Sequence, residues 1–227
     1  MRRYVVLVAG GQGLRMGGEV PKQFVPIADR PLLMHTLDHF YRWDASAPII
    51  LALPEEHRPY WESLCASASS VPPHYVVCGG ETRFHSVHNA LAYLDNAFPD
   101  DSLSSLVGVH DGVRPLIPIE MIDRCFCTAA ERDTAVPIVP VSNSLRFMDK
   151  DVSRPVDRSR YHIVQTPQVF RRHLLVRAYR QPYVSSFTDD ASVVEALGIS
   201  VYTVSGASEN IKVTTPIDLL TVSAYLS

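Results

Sequence analysis

The chain has 227 residues, of which 46% are hydrophobic and 20% charged, with a formal net charge of −3 and a pI near 6.3. This is an ordinary globular composition with room for a large core, and its slight acidity excludes a general nucleic-acid or anionic-membrane binder. No apolar run approaches the ~20 residues of a membrane span, and the N-terminus runs straight into a strand pattern without a signal-peptide profile, so a cytoplasmic location is expected.

The four cysteines, Cys65, Cys78, Cys125 and Cys127, include no Cys-x-x-Cys pair and no zinc spacing. Cys78 and Cys125 sit in apolar surroundings and read as buried structural thiols.

In chain order, Tyr4–Ala9 is an apolar run that reads as a buried first strand. It leads into Gly10-Gly11-Gln12-Gly13-Leu14-Arg15-Met16-Gly17-Gly18-Glu19-Val20-Pro21-Lys22. So many glycines fit a loop whose backbone N–H groups turn toward a ligand. With Arg15 and Lys22 in the same loop, a polyphosphate is the natural partner. A dinucleotide fingerprint fails because Met16 replaces the third glycine, and a Walker loop fails because Glu19 follows Gly18 where lysine is required.

Helix patterns cover Pro31–Arg42, Glu55–Ala66, Thr82–Asp95 and Pro118–Glu131, alternating with strands over Pro48–Leu53, His74–Cys78, Ser105–His110 and Ala135–Val139. This alternation implies an α/β fold, a Rossmann-like and mainly parallel sheet with helices on both faces. The rhythm breaks after Pro140. The polar segment 141–160, with alternating Leu145, Phe147, Val152 and Val156, suits a projecting hairpin arm on a single domain spanning 1–227. Thr188 is placed to cap a helix running through Leu197 to Gly198, followed by a strand Ile199–Val204 and a terminal helix Pro216–Leu226.

In an open α/β sheet, ligands sit at the carboxyl ends of the strands, so the polar groups there converge. The third strand ends at Gly79-Gly80-Glu81-Thr82-Arg83 and the fourth at His110-Asp111-Gly112-Val113-Arg114-Pro115. Asp111 is placed to hold Mg²⁺, which binds through one or two carboxylates plus substrate phosphates, or else to cap a turn. Arg114 belongs either to the site or to a surface ion pair. Thr188-Asp189-Asp190 opens a helix whose N-terminus suits a polyol or phosphate, though the aspartates weaken the phosphate reading. Lys212 lies between Ile211 and Val213, which suggests an ammonium aimed at a specific partner. Of the 21 lysines and arginines only Lys22, Lys150 and Lys212 are lysines, and two of these fall in motifs. Arg158, Thr166 and Gln168 read only as polar residues at the base of the arm.

Taken together, Ala9-Gly10-Gly11-Gln12-Gly13-Leu14-Arg15-Met16, Pro21-Lys22-Gln23, Val109-His110-Asp111-Gly112-Val113-Arg114-Pro115, Thr166-Pro167-Gln168-Val169-Phe170, Thr188-Asp189-Asp190-Ala191 and Asn210-Ile211-Lys212-Val213-Thr214 resemble the 2-C-methyl-D-erythritol 4-phosphate cytidylyltransferase family. The first block marks nucleotidyltransferases in general, while the joint order of the later ones is more specific. The resemblance implies transfer of a cytidylyl group from CTP to 2-C-methyl-D-erythritol 4-phosphate, with release of pyrophosphate and a divalent metal such as Mg²⁺. It implies Arg15 and Lys22 as catalytic cations and Asp111 as metal ligand. It places Ala9, Gly10, Gly11, Gly13, Gly80, Glu81 and Ser86 around CTP. It places Arg114, Ser144, Arg158, Thr166, Thr188 and Lys212 around the sugar phosphate, some of them acting across a homodimer clasped by the arm.

This chain departs from the family pattern at Leu14, where a second arginine is common, at Ser144, where threonine is usual, and at Gly112-Val113, where an alanine pair is usual. Leu14 leaves Arg15 as the one arginine in the loop. Two other readings stay open. One is a related enzyme acting on ribitol phosphate, which would share the nucleotide half. The other is a non-catalytic nucleotide-binding regulator, against which the intact Arg15, Lys22 and Asp111 count. A sugar-1-phosphate nucleotidyltransferase would usually be longer.

Overall fold

The computed structural model of the chain describes residues 1–10, 20–99 and 104–226. Four parallel strands form one half of the sheet: β1 (Arg3–Val8), β4 (Ile49–Leu53), β5 (Tyr75–Cys78) and β6 (Leu106–Asp111), with β2 (Pro26–Ile27) and β3 (Arg30–Pro31) pairing apart as a small hairpin. Helices α1 (Leu32–Trp43), α2 (Arg58–Ser67), α3 (Arg83–Ala97) and α4 (Ile119–Arg132) provide the crossovers. Beyond β6 the sheet is mixed. It continues through β7 (Thr134–Pro140), β10 (His162–Val164), β11 (Gln168–Arg171) and β12 (Thr203–Ser205), giving the order β10-β7-β11-β6-β1-β4-β5, with β12 alongside β7. β11 is antiparallel to both β6 and β7.

Strand alternation sorts the core into two layers. Val5 and Leu7 of β1 pack with Ile49, Leu51 and Leu53 against α1, α2 and α4. Tyr4, Val6 and Val8 face the opposite side, against α3, α5 (Arg172–Tyr179) and α6 (Asp190–Glu195). Because both faces of β1 are covered, its sequence is continuously apolar rather than alternating.

The sequence places most elements within one or two residues. Pro31 and Pro118 stand just outside their helices at the cap position, and Thr82 caps α3, its hydroxyl accepting from His85 N. The 141–160 segment does form a hairpin, β8 (Arg146–Asp149) with β9 (Val152–Pro155), paired among the described residues only with each other.

Two expectations are corrected. Asp189, not Thr188, caps α6: its carboxylate accepts from Ser192 N, and Ser192 Oγ accepts from Asp189 N. A carboxylate is the stronger acceptor at a helix N-terminus, which displaces the cap by one residue. The strand expected over Ile199–Val204 is only Thr203–Ser205, because the Thr134 hydroxyl takes the place of ladder bonds there, donating to Ser200 O and accepting from Tyr202 N. All four cysteines are free; Cys125 is buried, whereas Cys78 is only half-buried. Among the described residues no helix is long and apolar enough to cross a membrane.

Candidate active site

β1 and β6 run side by side, and their register pairs Val8 with Asp111 at the carboxyl edge of the sheet. Gly112 N donates to Val8 O at 2.9 Å, turning the chain sharply away beneath the start of the glycine loop. A Cβ at Gly112 would stand 2.8 Å from Leu33 Cδ1 and 3.1 Å from Ala9 Cβ, so the glycine here matches a close local fit.

Asp111 is almost fully buried, yet three cations gather on it. Arg114 Nε lies 3.0 Å and Lys212 Nζ 3.1 Å from Oδ2, while Arg83 Nε lies 3.5 Å from Oδ1. Burial alone would raise this carboxyl's pKa, but Arg83, Lys212 and Arg114 outweigh it and hold the group well below the usual carboxylate range. Asp111 is therefore a fixed anion. Arg114 is not a surface ion pair: it is buried and also donates from Nη1 to Asn210 O at 2.8 Å. Lys212 reaches Asp111, the specific partner that its apolar neighbours suggest.

Two cavities meet at this carboxylate. One, of about 240 Å³, is lined by Ala9, Gly10, Lys22, Gly80, Glu81 and Ser86 together with Asp111, Arg83 and Lys212. The other, of about 270 Å³, is lined by Arg114, Thr166, Gln168 and Thr188, again with Asp111, Arg83 and Lys212. Gly11, Gly13, Leu14 and Arg15 lie outside the described residues.

Lys22 opens a single turn of 3-10 helix, Lys22–Phe24, and its Nζ donates to Val213 O at 3.2 Å, next door to Lys212. The turn is anchored from below: buried Gln23 donates from Nε2 to Ala9 O at 3.0 Å, and Phe24 stacks on Trp61. On the opposite wall Gly80 N donates to Ser86 Oγ at 3.1 Å. Only glycine fits there, because a Cβ at Gly80 would lie 2.3 Å from His85 Cβ.

Thr166, in sequence only a polar residue near a turn, is buried beside Asp111. Its hydroxyl accepts from Asp111 N at 3.1 Å and lies 3.0 Å from His110 Nδ1. His110 is fully buried, and desolvation pulls its pKa down to about 3. It is a neutral core imidazole, not a proton shuttle at neutral pH.

Arg83 carries no role in the sequence reading because its partner is remote: it grips the buried Asp190 of α6 with both Nη atoms, at 2.8 and 2.7 Å. Gln168 completes this wall, donating to Asp189 Oδ2 and accepting from Ala191 N, both at 2.8 Å. The available signal is the Thr82 cap, which places Arg83 at the first turn of α3 facing the sheet edge. Ser144 and Arg158 are not brought to either cavity. Both are exposed at the base of the hairpin, where Arg158 donates to Ser142 O.

A family model described as IspD, 2-C-methyl-D-erythritol 4-phosphate cytidylyltransferase, matches residues 4–227. The chain belongs to this family. It is 49% identical over 226 residues to the 2-C-methyl-D-erythritol 4-phosphate cytidylyltransferase of Bacteroides fragilis, covering 100% of both chains. It is 50% identical over 220 residues to that of Porphyromonas gingivalis, covering 96% of this chain and 95% of the relative. A solved 2-C-methyl-D-erythritol 4-phosphate cytidylyltransferase from Thermus thermophilus superposes with a TM-score of 0.77 at 31% identity, covering 99% of this chain and 98% of that one. As a member of this family the chain is a cytidylyltransferase of non-mevalonate isoprenoid biosynthesis, the assignment its motifs imply.

Proposed function

We propose that the cavity between Lys22 and Gly80 seats CTP, that the cavity between Thr166 and Thr188 seats 2-C-methyl-D-erythritol 4-phosphate, and that reaction occurs over Asp111 where the two meet. The observation that carries this reading is the shared wall: Asp111, Arg83 and Lys212 line both cavities. A phosphate monoester oxygen of the acceptor forms a bond to the α-phosphorus of CTP, the α–β bridging P–O bond breaks, and pyrophosphate leaves. The nucleophile is already anionic near neutral pH, so no general base is needed. The obstacle is bringing two anions together.

Lys22 and Lys212 reach this point from two sides, held close together by the Lys22–Val213 bond. Lys22, with Arg15 from the glycine loop, offsets charge growing on the α-phosphate, while Lys212 and Arg114 hold the acceptor end. Ala9, Gly10, Gly80, Glu81 and Ser86, with Gly11 and Gly13, surround the nucleotide.

Asp111 suits a divalent cation such as Mg²⁺. Among the described residues its Oδ1 has only a long contact with Arg83, whose Nη atoms are committed to Asp190. The described residues contain no cluster of three or more metal-ligating side chains, so substrate phosphates and water would complete the shell, which is the habit of Mg²⁺. Such an ion would add Lewis-acid stabilisation at the phosphates.

The hairpin carries exposed Phe147, Met148 and Val152, and edge strand β10 exposes Ile163 and Val164. We read this as the arm by which a single-domain protomer clasps a second copy, with Ser144 and Arg158 serving the partner's acceptor site. A cytoplasmic location accords with free cysteines throughout.

The test is pyrophosphate release from CTP and Mg²⁺, with 2-C-methyl-D-erythritol 4-phosphate and ribitol 5-phosphate side by side. Release with the first alone is expected. Release with ribitol phosphate alone would keep the mechanism and overturn the acceptor; release with neither would overturn the reading.

A further inference from the structure

Thr166 has one hydroxyl proton and two lone pairs to place. Asp111 N–H donates into one lone pair at 3.1 Å. His110 Nδ1 lies 3.0 Å from the same oxygen, and the other ring nitrogen, Nε2, lies 3.3 Å from the carbonyl of Arg114. A carbonyl can only accept, so the ring proton sits on Nε2. In a neutral imidazole that leaves Nδ1 bare and able only to accept. The ring is held in this pose by Phe40, whose edge packs 5.0 Å from it, centroid to centroid. The Thr166 proton is therefore committed to His110, and a single lone pair remains for the cavity that Thr166 lines.

We infer that Thr166 meets its ligand as a hydrogen-bond acceptor, and that His110 is the positioning residue that fixes this polarity. The inference rests on the reading that this cavity seats the acceptor substrate. The complementary group must be a donor, a hydroxyl of the polyol. A phosphate oxygen placed there would meet lone pair with lone pair. Turning the hydroxyl to suit a phosphate would leave the buried His110 Nδ1 unpaired, which is costly. The cavity thus sorts the two ends of a polyol phosphate. The phosphate is drawn to the cationic side at Lys212, and a carbinol to Thr166. This polarity selects an orientation as well as a chemical class, and a non-polar isostere would not satisfy it.

The experiment joins two measurements on the full-length enzyme. First, ¹⁵N NMR of the histidine ring nitrogens at neutral pH, assigned through His110→Gln, reads the tautomer: Nε2–H is expected, and Nδ1–H would overturn the inference. Second, kcat and KM are measured for 2-C-methyl-D-erythritol 4-phosphate and for analogues with one hydroxyl at a time replaced by hydrogen or by fluorine, which cannot donate. At one carbon both replacements should raise the acceptor KM by about tenfold or more, equally, leaving the KM for CTP unchanged. A fluoro series used as well as the parent at every position would overturn it.

The variants separate positioning from packing. His110→Gln keeps a donor toward Arg114 but offers Thr166 no acceptor, and should raise the acceptor KM alone. His110→Asn restores an acceptor where Nδ1 stood and should recover much of the loss. Equal effects of both variants on both substrates would mark a purely structural histidine and sink the idea. If either variant fails to fold, the fluoro series on the unmodified enzyme decides. Failure to turn over the parent acceptor at all would overturn the functional reading itself, and is visible before any analogue is tried.

Discussion

Arg83 and Asp190, 107 residues apart in sequence, form a parallel two-bond ion pair at 2.8 and 2.7 Å. The same aspartate accepts from Tyr179 OH at 2.6 Å and is completely buried. The pair joins the first turn of α3, which follows the Gly80 wall of the proposed nucleotide cavity, to the first turn of α6, which borders the proposed acceptor cavity. It is the strut that keeps the two cavities in one frame.

Removing Arg83 leaves Asp190 as a buried, uncompensated charge. Arg83→Met should therefore destabilise the protein by about 3–5 kcal/mol, and Arg83→Met/Asp190→Leu together by much less than the sum of the two single changes. Urea unfolding of the four proteins in the cycle provides the coupling. Simple additivity would show that the pair does not act as a unit.

Lys22→Ala should cost roughly 10²–10³ in kcat, the scale for removing one fixed donor from a transition state. Far less should happen to stability, since Lys22 is only half-buried and the turn is anchored independently by Gln23 and Phe24. Near wild-type turnover by a folded variant would remove Lys22 from the mechanism.

Acid should destabilise the fold in two stages. His110 is an imidazole whose folded pKa is pulled by burial from 6.5 to about 3. Its contribution is fully present above pH 6.5 and is lost as pH falls toward 3, at about 1.4 kcal/mol per pH unit for one proton. His39 and His74, also lowered by burial, add in the same direction. Asp111, its carboxyl held low by three cations despite burial, contributes above its ordinary value of 3.8 and loses that contribution only as pH drops further. Unfolding free energies from about pH 7 to 4 should decline, and His110→Gln should flatten the slope by about one proton. An unchanged slope in that variant would mean His110 takes up its proton normally in the folded state.

Gly80→Ala tests the nucleotide wall. The new methyl would fall 2.3 Å from His85 Cβ and 3.0 Å from its carbonyl carbon, so backbone must shift rather than a side-chain tip. A loss of roughly 1–3 kcal/mol is expected from such overpacking, with a raised KM for CTP. Thermal unfolding and CTP kinetics check it; an indifferent variant would mean the turn can open without cost.

Much of the sheet, and the residues lining the proposed nucleotide cavity, are legible in the sequence for one reason. Three of the four parallel strands end in a short local motif, and the fold rule that places ligands at strand ends brings those motifs together without further information. Asp111, Lys22, Gly80 and Lys212 can be named this way because each sits within a few residues of a recognisable strand end or turn. The α6 cap cannot. Two adjacent residues, Thr188 and Asp189, both carry capping side chains, and local sequence does not choose between them.

What the chain by itself determined was its α/β class, the hairpin and the identity of its charged groups, all written in local periodicities and spacings. Only the tertiary structure decided that Arg83 pairs with Asp190, that Arg114 and Lys212 share one carboxylate with it, and that Thr166 lies against His110. Arg83 and Asp190 are 107 residues apart, and Thr166 and His110 are 56 apart, on separate strands and helices. Burial then turns each of those meetings into a fixed charge or a fixed proton, which no local pattern can express.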